Sequence, residues 1–366
     1  MCSSPITIRN PNYAFSRDST GNIKPLIFHD SNIRHVADSS PYMQVPCGHC
    51  PDCVARKSSD LAQRASIESL YSHVFFLTLT YNNDSLPHFL TSEGGNIPFA
   101  DFSDLQKMFK LIRKYNEILR PFKYVSVSER GTEGARPHFH VLLFVEKLPK
   151  DDYNDILNLE SYLSSLFLRR WQRNYGSTRN PDYRNLCTFV DKSTLFRKQT
   201  NFDLHYVKPD VNNGISSVVY YCMKYMLKES SHDSKLHYAL KSSLPPGEAA
   251  QSWSVVRSKR ACSLDFGRKS DPSVLKRIHD DVDKCRYLYN TPVFCYPDCA
   301  LTAPLSRYYY DALSLDQVQY YNDLYQSLPP SSSLDYDSRL LKDSDKFRRL
   351  KTDVFSENVN IYENIL

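Results

Sequence analysis

Arg136-Pro137-His138-Phe139-His140-Val141-Leu142-Leu143-Phe144 reads as a β-strand whose two faces do different work. Alternate side chains of a strand point to opposite faces, so His138 and His140 stand together while Phe139, Val141 and Leu143 turn toward a core. Two parallel imidazoles with one more ligand can hold a divalent metal and leave positions open for substrate. An H-x-H pair alone is weak evidence, because many such pairs are ordinary surface or core histidines. A second element, at 218–228, gives it weight.

That element is Val218-Val219-Tyr220-Tyr221-Cys222-Met223-Lys224-Tyr225-Met226-Leu227-Lys228. It follows the turn signal Asn212-Asn213-Gly214, with Ser216 or Ser217 as candidate N-cap, and runs to Ser230 without Gly or Pro. On the helix this predicts, Tyr221 and Tyr225 are i,i+4 neighbours on one face, about 6 Å apart along the axis. Lys224 and Lys228 each follow a tyrosine by three residues, which brings an ammonium near each phenol. With 26 Tyr in the chain, a tyrosine stripe that merely packs is the default reading.

Joined to a metal pair, the tyrosines suggest a specific chemistry. A phenol with a pKa of about 10 is a poor nucleophile at neutral pH. A nearby lysine favours the phenolate, and a metal on the phosphate oxygens polarises phosphorus. Attack on a DNA phosphodiester would leave a 5′-phosphotyrosine and free a 3′-hydroxyl. The bond is exchanged rather than hydrolysed, so a second tyrosine allows a second exchange. Tyr220, four residues before Lys224, is a rival nucleophile.

His138-Phe139-His140 followed by Tyr221-x-x-x-Tyr225 resembles the HUH endonucleases, specifically the two-tyrosine initiators of rolling-circle replication. Phe75-Phe76-Leu77-Thr78-Leu79-Thr80-Tyr81 resembles their first motif, so three motifs stand in the expected order. Met1-Cys2, Ile8-Arg9-Asn10-Pro11, Pro46-Cys47-Gly48-His49-Cys50-x-x-Cys53 and Ser128-Glu129-Arg130-Gly131 are similar to the replication initiation proteins of microviruses, gokushoviruses in particular. The resemblance covers roughly residues 1–230. It implies Mg²⁺ or Mn²⁺ as cofactor, an origin strand of single-stranded or supercoiled circular phage DNA as substrate, and the host bacterial cytoplasm as location. In related initiators an acidic residue lies eight or nine positions before the first histidine, which points to Glu129. Glu129 would share a strand face with Val125 and Val127, so it must sit at the strand's end. Glu133, in the following loop, is the alternative.

Composition is compatible with this. Residues 105–150 hold ten Lys/Arg against four Glu, a belt suited to a phosphate backbone. Residues 301–366 hold seven Lys/Arg against ten Asp/Glu. No apolar run approaches a membrane span, and the polar N-terminus is not a signal peptide. There is no G-x-x-x-x-G-K-[ST] loop, so strand separation would fall to a host helicase and synthesis to a host polymerase.

A capping-box pattern at Ser103-x-x-Gln106 and the stripe Leu105, Met108, Phe109, Ile112 predict a helix between strands 74–81 and 123–129, with strand 138–145 next. Lys107, Lys110, Arg113 and Lys114 would form its polar side. A further helix is expected at 153–173 and a strand at Phe202–Val207. Strand–helix–strand–strand implies an α+β fold with an antiparallel sheet of ferredoxin-like or RRM-like type, helices on one face and the site on the other. A mostly helical C-terminal region would follow, with helices at roughly 315–328 and 337–355. The domains read as 1–65 with the cysteine cluster, 66–245 with the endonuclease, and 246–366 of unknown role, with Pro245-Pro246-Gly247 as the boundary.

Cys47, Cys50 and Cys53 have spacing suited to structural zinc, with His49, Cys2, Cys295 and Cys299 as candidate fourth ligands. Disulfides are not expected, given no export signal. Arg56, Lys57 and Arg64 open an expected helix to about Ser72. Arg257, Lys259, Arg260, Arg268 and Lys269 form another basic cluster that could grip DNA. Two other classes compete: a non-enzymatic zinc-containing DNA-binding protein, for which the H-x-H pair and the tyrosine helix would be packing accidents, and an HUH transposase or relaxase, which would favour one nucleophile.

Overall fold

The computed structural model describes residues 6–9, 42–45, 51–131, 135–190, 198–200, 202–211, 214–226, 231–289 and 291–327. They fall into two compact units, the larger comprising Arg56–Ile278 and Phe294–Tyr309. Helix α1 (Pro51–Tyr71) leads into β1 (Ser72–Thr80), then α2 (Phe102–Lys114), β2 (Phe122–Arg130), β3 (Pro137–Glu146), α3 (Tyr153–Arg170), β4 (Phe202–Tyr206) and α4 (Gly214–Met226). Helices α5 (Ser231–Ser243) and α6 (Pro246–Val256) and strand β5 (Arg260–Cys262) complete the part that matters for the site.

The five strands form one antiparallel sheet in the order β4-β1-β3-β2-β5. The run β1-α2-β2-β3-α3-β4 with order 4-1-3-2 is the ferredoxin-like arrangement that the strand–helix–strand–strand pattern implies. Strand β5 adds to it beside β2.

Strand β3 is central, so both its faces must be covered. Phe139, Val141, Leu143 and Val145 join Leu105, Met108, Phe109 and Ile112 of α2 and Leu163, Leu166 and Phe167 of α3 in one core. Phe109 stacks on Tyr124 with ring centroids 4.0 Å apart. Leu142 and Phe144, on the opposite face, join Ala62 and Ala65 of α1 and Ile215, Val219 and Met223 of α4 in a second core. Helices therefore lie on both faces, not one. The continuous apolar run Val141–Val145 is what a strand sandwiched between helices requires. His138 and His140 lie at the end of β3 beyond that second core.

Local chemistry differs from expectation in four places. Helix α2 is capped by Asp101, whose carboxylate accepts from Ser103 N, rather than by a box at Ser103. Helix α3 ends at Arg170, because Trp171 turns its indole into the core and starts a hairpin. Helix α4 starts at Gly214, and the Asp298 carboxylate accepts from Ile215 N at 3.2 Å, so neither Ser216 nor Ser217 is the cap. Gly214 has φ +64, and a Cβ there would run into Asp298. Finally, the basic row of α2 lies on the face opposite the histidines, because its apolar stripe docks under Phe139 and Val141.

In the second unit, hairpin Ile6–Arg9/Tyr42–Val45 pairs antiparallel. There the ring of His279 hydrogen-bonds Ala312 O at 2.9 Å, and Gln317 donates to His279 O from the helix Leu315–Ser327. The expected helix at 337–355 lies outside the described residues. Among the described residues, no helix is long and apolar enough to cross a membrane.

A buried carboxylate ties the ends of the large sheet together. Asp151 takes both Arg120 guanidinium nitrogens, at 2.6 and 2.9 Å, the His73 ring at 2.9 Å and Leu148 N at 2.8 Å. Burial opposes its ionisation, but the Arg120, Leu148 and His73 bonds outweigh that and hold the carboxyl at about 2. A depressed carboxyl stabilises the fold above its unfolded value of about 3.9 and loses that contribution as pH falls toward the folded value. Asp151→Asn should therefore cost about 3 kcal/mol in denaturant unfolding at pH 7, since it strands a buried guanidinium. The difference from wild type should narrow clearly at pH 3; an equal difference at both pH values would show that the charge does not matter.

Candidate metal and tyrosine site

Antiparallel pairing sets the site. The β2–β3 register puts Glu129 opposite His138 and Val127 opposite His140, and the β1–β3 register puts Thr80 and Thr78 beside the same two histidines. Cross-strand partners share a face, so Glu129 stands with both imidazoles at the open end of β2. Glu129 Oε1, His138 Nε2 and His140 Nε2 are each 3.0 Å from the other two. Among the described residues this is the only group of His, Cys, Asp or Glu side chains gathered tightly enough to hold an ion. Glu133 lies outside the described residues.

The donor set fits a divalent cation on two counts. An octahedron with centre-to-ligand distances of about 2.1 Å has edges of about 3.0 Å, whereas a tetrahedron of that size has edges of about 3.4 Å. The observed triangle therefore matches one face of an octahedron, which leaves three adjacent positions open. Proton bookkeeping agrees. His138 Nδ1 is 3.1 Å from Arg136 O, which can only accept, so the neutral ring keeps its proton on Nδ1 and presents a bare Nε2. His140 Nδ1 is 3.2 Å from Thr78 Oγ1, which permits the same tautomer. Three lone pairs then converge, which a shared proton satisfies at one contact and a cation at all three.

Electrostatics point the same way. Burial opposes the charge on Glu129, but hydrogen bonds to His138 and His140 prevail and hold its carboxyl at about 2. Burial pushes His140 below the ordinary histidine value, which keeps it neutral and able to ligate. The Phe76 ring lies 5.1 Å from that of His140 and shields one side of it.

Helix α4 packs on the same sheet face through Ile215, Val219 and Met223. Tyr221 points away from that core and is 46% exposed, as a nucleophile must be to reach DNA. Tyr220 instead packs edge-to-face on Tyr296 at 5.3 Å, and burial pushes its hydroxyl up. That environment disfavours a phenolate, so it tells against Tyr220 as the rival. Lys224 and Tyr225 belong to α4, but their side chains lie outside the described residues, as Lys228 does altogether. Cys2, Cys47, His49 and Cys50 also lie outside; Cys53 is buried in the first turn of α1.

Other candidates are engaged elsewhere. Arg268 is bound to the buried Glu68 at 3.0 Å, and Arg64 lies over Tyr308 at 4.3 Å. Sequence reasoning missed Thr78 and the Arg136 carbonyl as the groups that orient the histidines. Both reach the imidazoles only through folding, and no spacing rule announces them.

Residues 74–230 match the family model of the ORF2-type replication-associated protein. The chain is similar to the replication-associated protein ORF2 of Spiroplasma virus 4, 29% identical over 40% of this chain and 45% of the relative. It is also similar to the replication-associated protein ORF4 of Chlamydia phage 1, 31% identical over 34% and 28%, and to VP4 of Bdellovibrio phage phiMH2K, 33% identical over 27% and 31%. The matched stretches span less than half the length of each relative. No solved structure is similar to the chain. The resemblance to microvirus replication proteins read from the motifs is borne out.

Thr78→Val keeps the side-chain volume and removes the hydroxyl that orients His140. It should weaken Mn²⁺ binding, measured by calorimetry, on the order of tenfold, with Thr78→Ser close to wild type. Equal affinity in all three proteins would leave Thr78 without that role.

Proposed function

We propose that this chain is a two-tyrosine HUH nickase that starts rolling-circle replication of a small circular phage DNA. The observation that carries the reading is the 3.0 Å triangle of Glu129, His138 and His140 on the sheet face against which the tyrosine helix packs. A phosphate-directed site needs a cation and a nucleophile within one surface, and this arrangement supplies candidates for both.

Glu129, His138 and His140 would hold Mg²⁺ or Mn²⁺, which when bound polarises the scissile phosphate and offsets charge in the transition state. The protein's own groups do the rest. Tyr221 loses its proton, and its Oη forms a bond to phosphorus as the bond from phosphorus to the 3′-oxygen breaks. The leaving oxygen takes up a proton and becomes the 3′-hydroxyl that primes synthesis. The new 5′-phosphotyrosine keeps the energy of the broken bond, so a later attack by a 3′-hydroxyl reverses the step. Tyr225, one turn along the same helix, would open the regenerated origin while the first linkage closes the unit-length circle. Lys224 and Lys228 would favour the phenolate and orient the phosphate. A host helicase and DNA polymerase would act on the exposed 3′ end in the bacterial cytoplasm.

The convergence of three ligating side chains supports this over the non-enzymatic reading, in which the histidine pair would be an accident of packing. An assay with 5′- and 3′-labelled single-stranded origin fragments and Mn²⁺ should give a cut with protein left covalently on the 5′ end. His138→Ala/His140→Ala should abolish it, and Tyr220→Phe should leave it intact. Normal nicking and joining by both Tyr221→Phe and Tyr225→Phe would remove the tyrosine assignment. No cut with DNA binding intact would leave a binding module as the better description.

A further inference from the structure

The segment after α3 is not used by the chemistry above, yet its shape is closely specified. Gln172–Asn174 and Tyr183–Asn185 pair as an antiparallel hairpin, with Arg173 opposite Arg184 and Asn174 opposite Tyr183. Its turn is held internally: Asn174 Oδ1 accepts from Gly176 N at 2.9 Å and from Asp182 N at 2.8 Å, and Tyr175 N donates to Asp182 O. Gly176 lies so close to the Asn180 carbonyl that any Cβ there would overlap it. The tip is thus fixed in shape before anything binds it.

What this tip displays is aromatic and cationic. Tyr175 and Tyr183 are 42% and 57% exposed, an odd use of two large rings unless they meet a partner. The Tyr175 ring is flanked by the guanidinium groups of Arg173 and Arg184, at 5.7 and 5.1 Å from its centroid. Residues 169–185 contain five arginines and a single carboxylate, Asp182. Arg173 is itself anchored on the buried Asp104, and this fixes its place beside the ring.

The root of the hairpin reaches the candidate site. The Trp171 indole N–H donates to Thr80 O at 3.1 Å, and Thr80 is the cross-strand neighbour of His138. Asn82, two residues on, donates to Asn185 O at 3.1 Å, and Arg173 donates to Ser85 O at 3.3 Å. The hairpin therefore projects from the strand end that carries the histidines.

We propose that the hairpin 172–185 is a stacking platform for the single-stranded DNA that flanks the scissile phosphate, with bases on Tyr175 and Tyr183 and phosphates near Arg179 and Arg184. Unstacked bases have exposed π-faces and their backbone is polyanionic, which matches interleaved tyrosine and arginine. Single-stranded rather than duplex DNA fits because the exposed rings need unpaired bases to cover them. The proposal rests on the nickase reading for its purpose, but not for its test.

Fluorescence anisotropy with a fluorescein-labelled thymidine oligonucleotide of about sixteen nucleotides would decide it, on the full chain without divalent metal. Tyr175→Ala/Tyr183→Ala should weaken binding at least about tenfold, while Tyr175→Phe/Tyr183→Phe, which keeps the rings, should bind as wild type does. Arg179→Gln/Arg184→Gln should lower the slope of log affinity against log salt by about 1.4. Unchanged binding by the alanine pair, with an unchanged melting temperature, overturns the platform. If wild type cuts origin DNA and the alanine pair binds and cuts equally well, the platform fails and the nickase stands. If wild type binds through the rings but never cuts, the nickase fails and the platform stands.

Discussion

The register of β3 between β1 and β2 is the constraint on which everything else in the large unit depends. Because side chains alternate along a strand, a slip of one residue would turn His138 and His140 into the apolar core and send Phe139, Val141 and Leu143 to the open face. Each partner strand fixes the register independently. Strand β1 sets Thr80 beside His138, and β2 sets Glu129 there from the other side. The apolar residues of β3 enforce the same alignment, since both cores lose their largest side chains if it moves. Removing a buried phenylalanine of this kind costs about 3–5 kcal/mol, far more than three polar groups at one strand end could supply. The core therefore holds the site in place, not the reverse.

Much of this was legible in the sequence, for identifiable reasons. Strand parity gave the two histidines a common face, and helical spacing put Tyr221 and Tyr225 on one side of a helix. Glu129 was within reach of sequence argument, because its spacing from His138 suits the two strands of one hairpin. Its parity with Val125 and Val127 looked like a conflict only while that face was taken as uniformly core. In the fold, α1 and α4 cover the Val125 end and leave the Glu129 end open, so one strand face serves both purposes. The continuous run Val141–Val145 already carried that information, since a strand with one open face would alternate.

Other features could not be read in advance. The cap of α4 comes from Asp298, far along the chain, and the partner of His140 is Thr78 on another strand. Only the completed topology makes those pairs neighbours. The basic row of α2 was misplaced for the same reason: periodicity identifies the polar side of a helix but not which sheet face the helix covers. Trp171 ends α3 because burying its indole against Thr80 outweighs continuing the helical pattern.

Binding of one Mn²⁺ by this triangle is the central claim, and pulsed electron paramagnetic resonance of the loaded protein tests it most directly. Coupling of the manganese to two imidazole nitrogens, reduced to one in either His138→Ala or His140→Ala, is the expected result. A bound ion that shows no nitrogen coupling, or the same coupling in those variants, would contradict it.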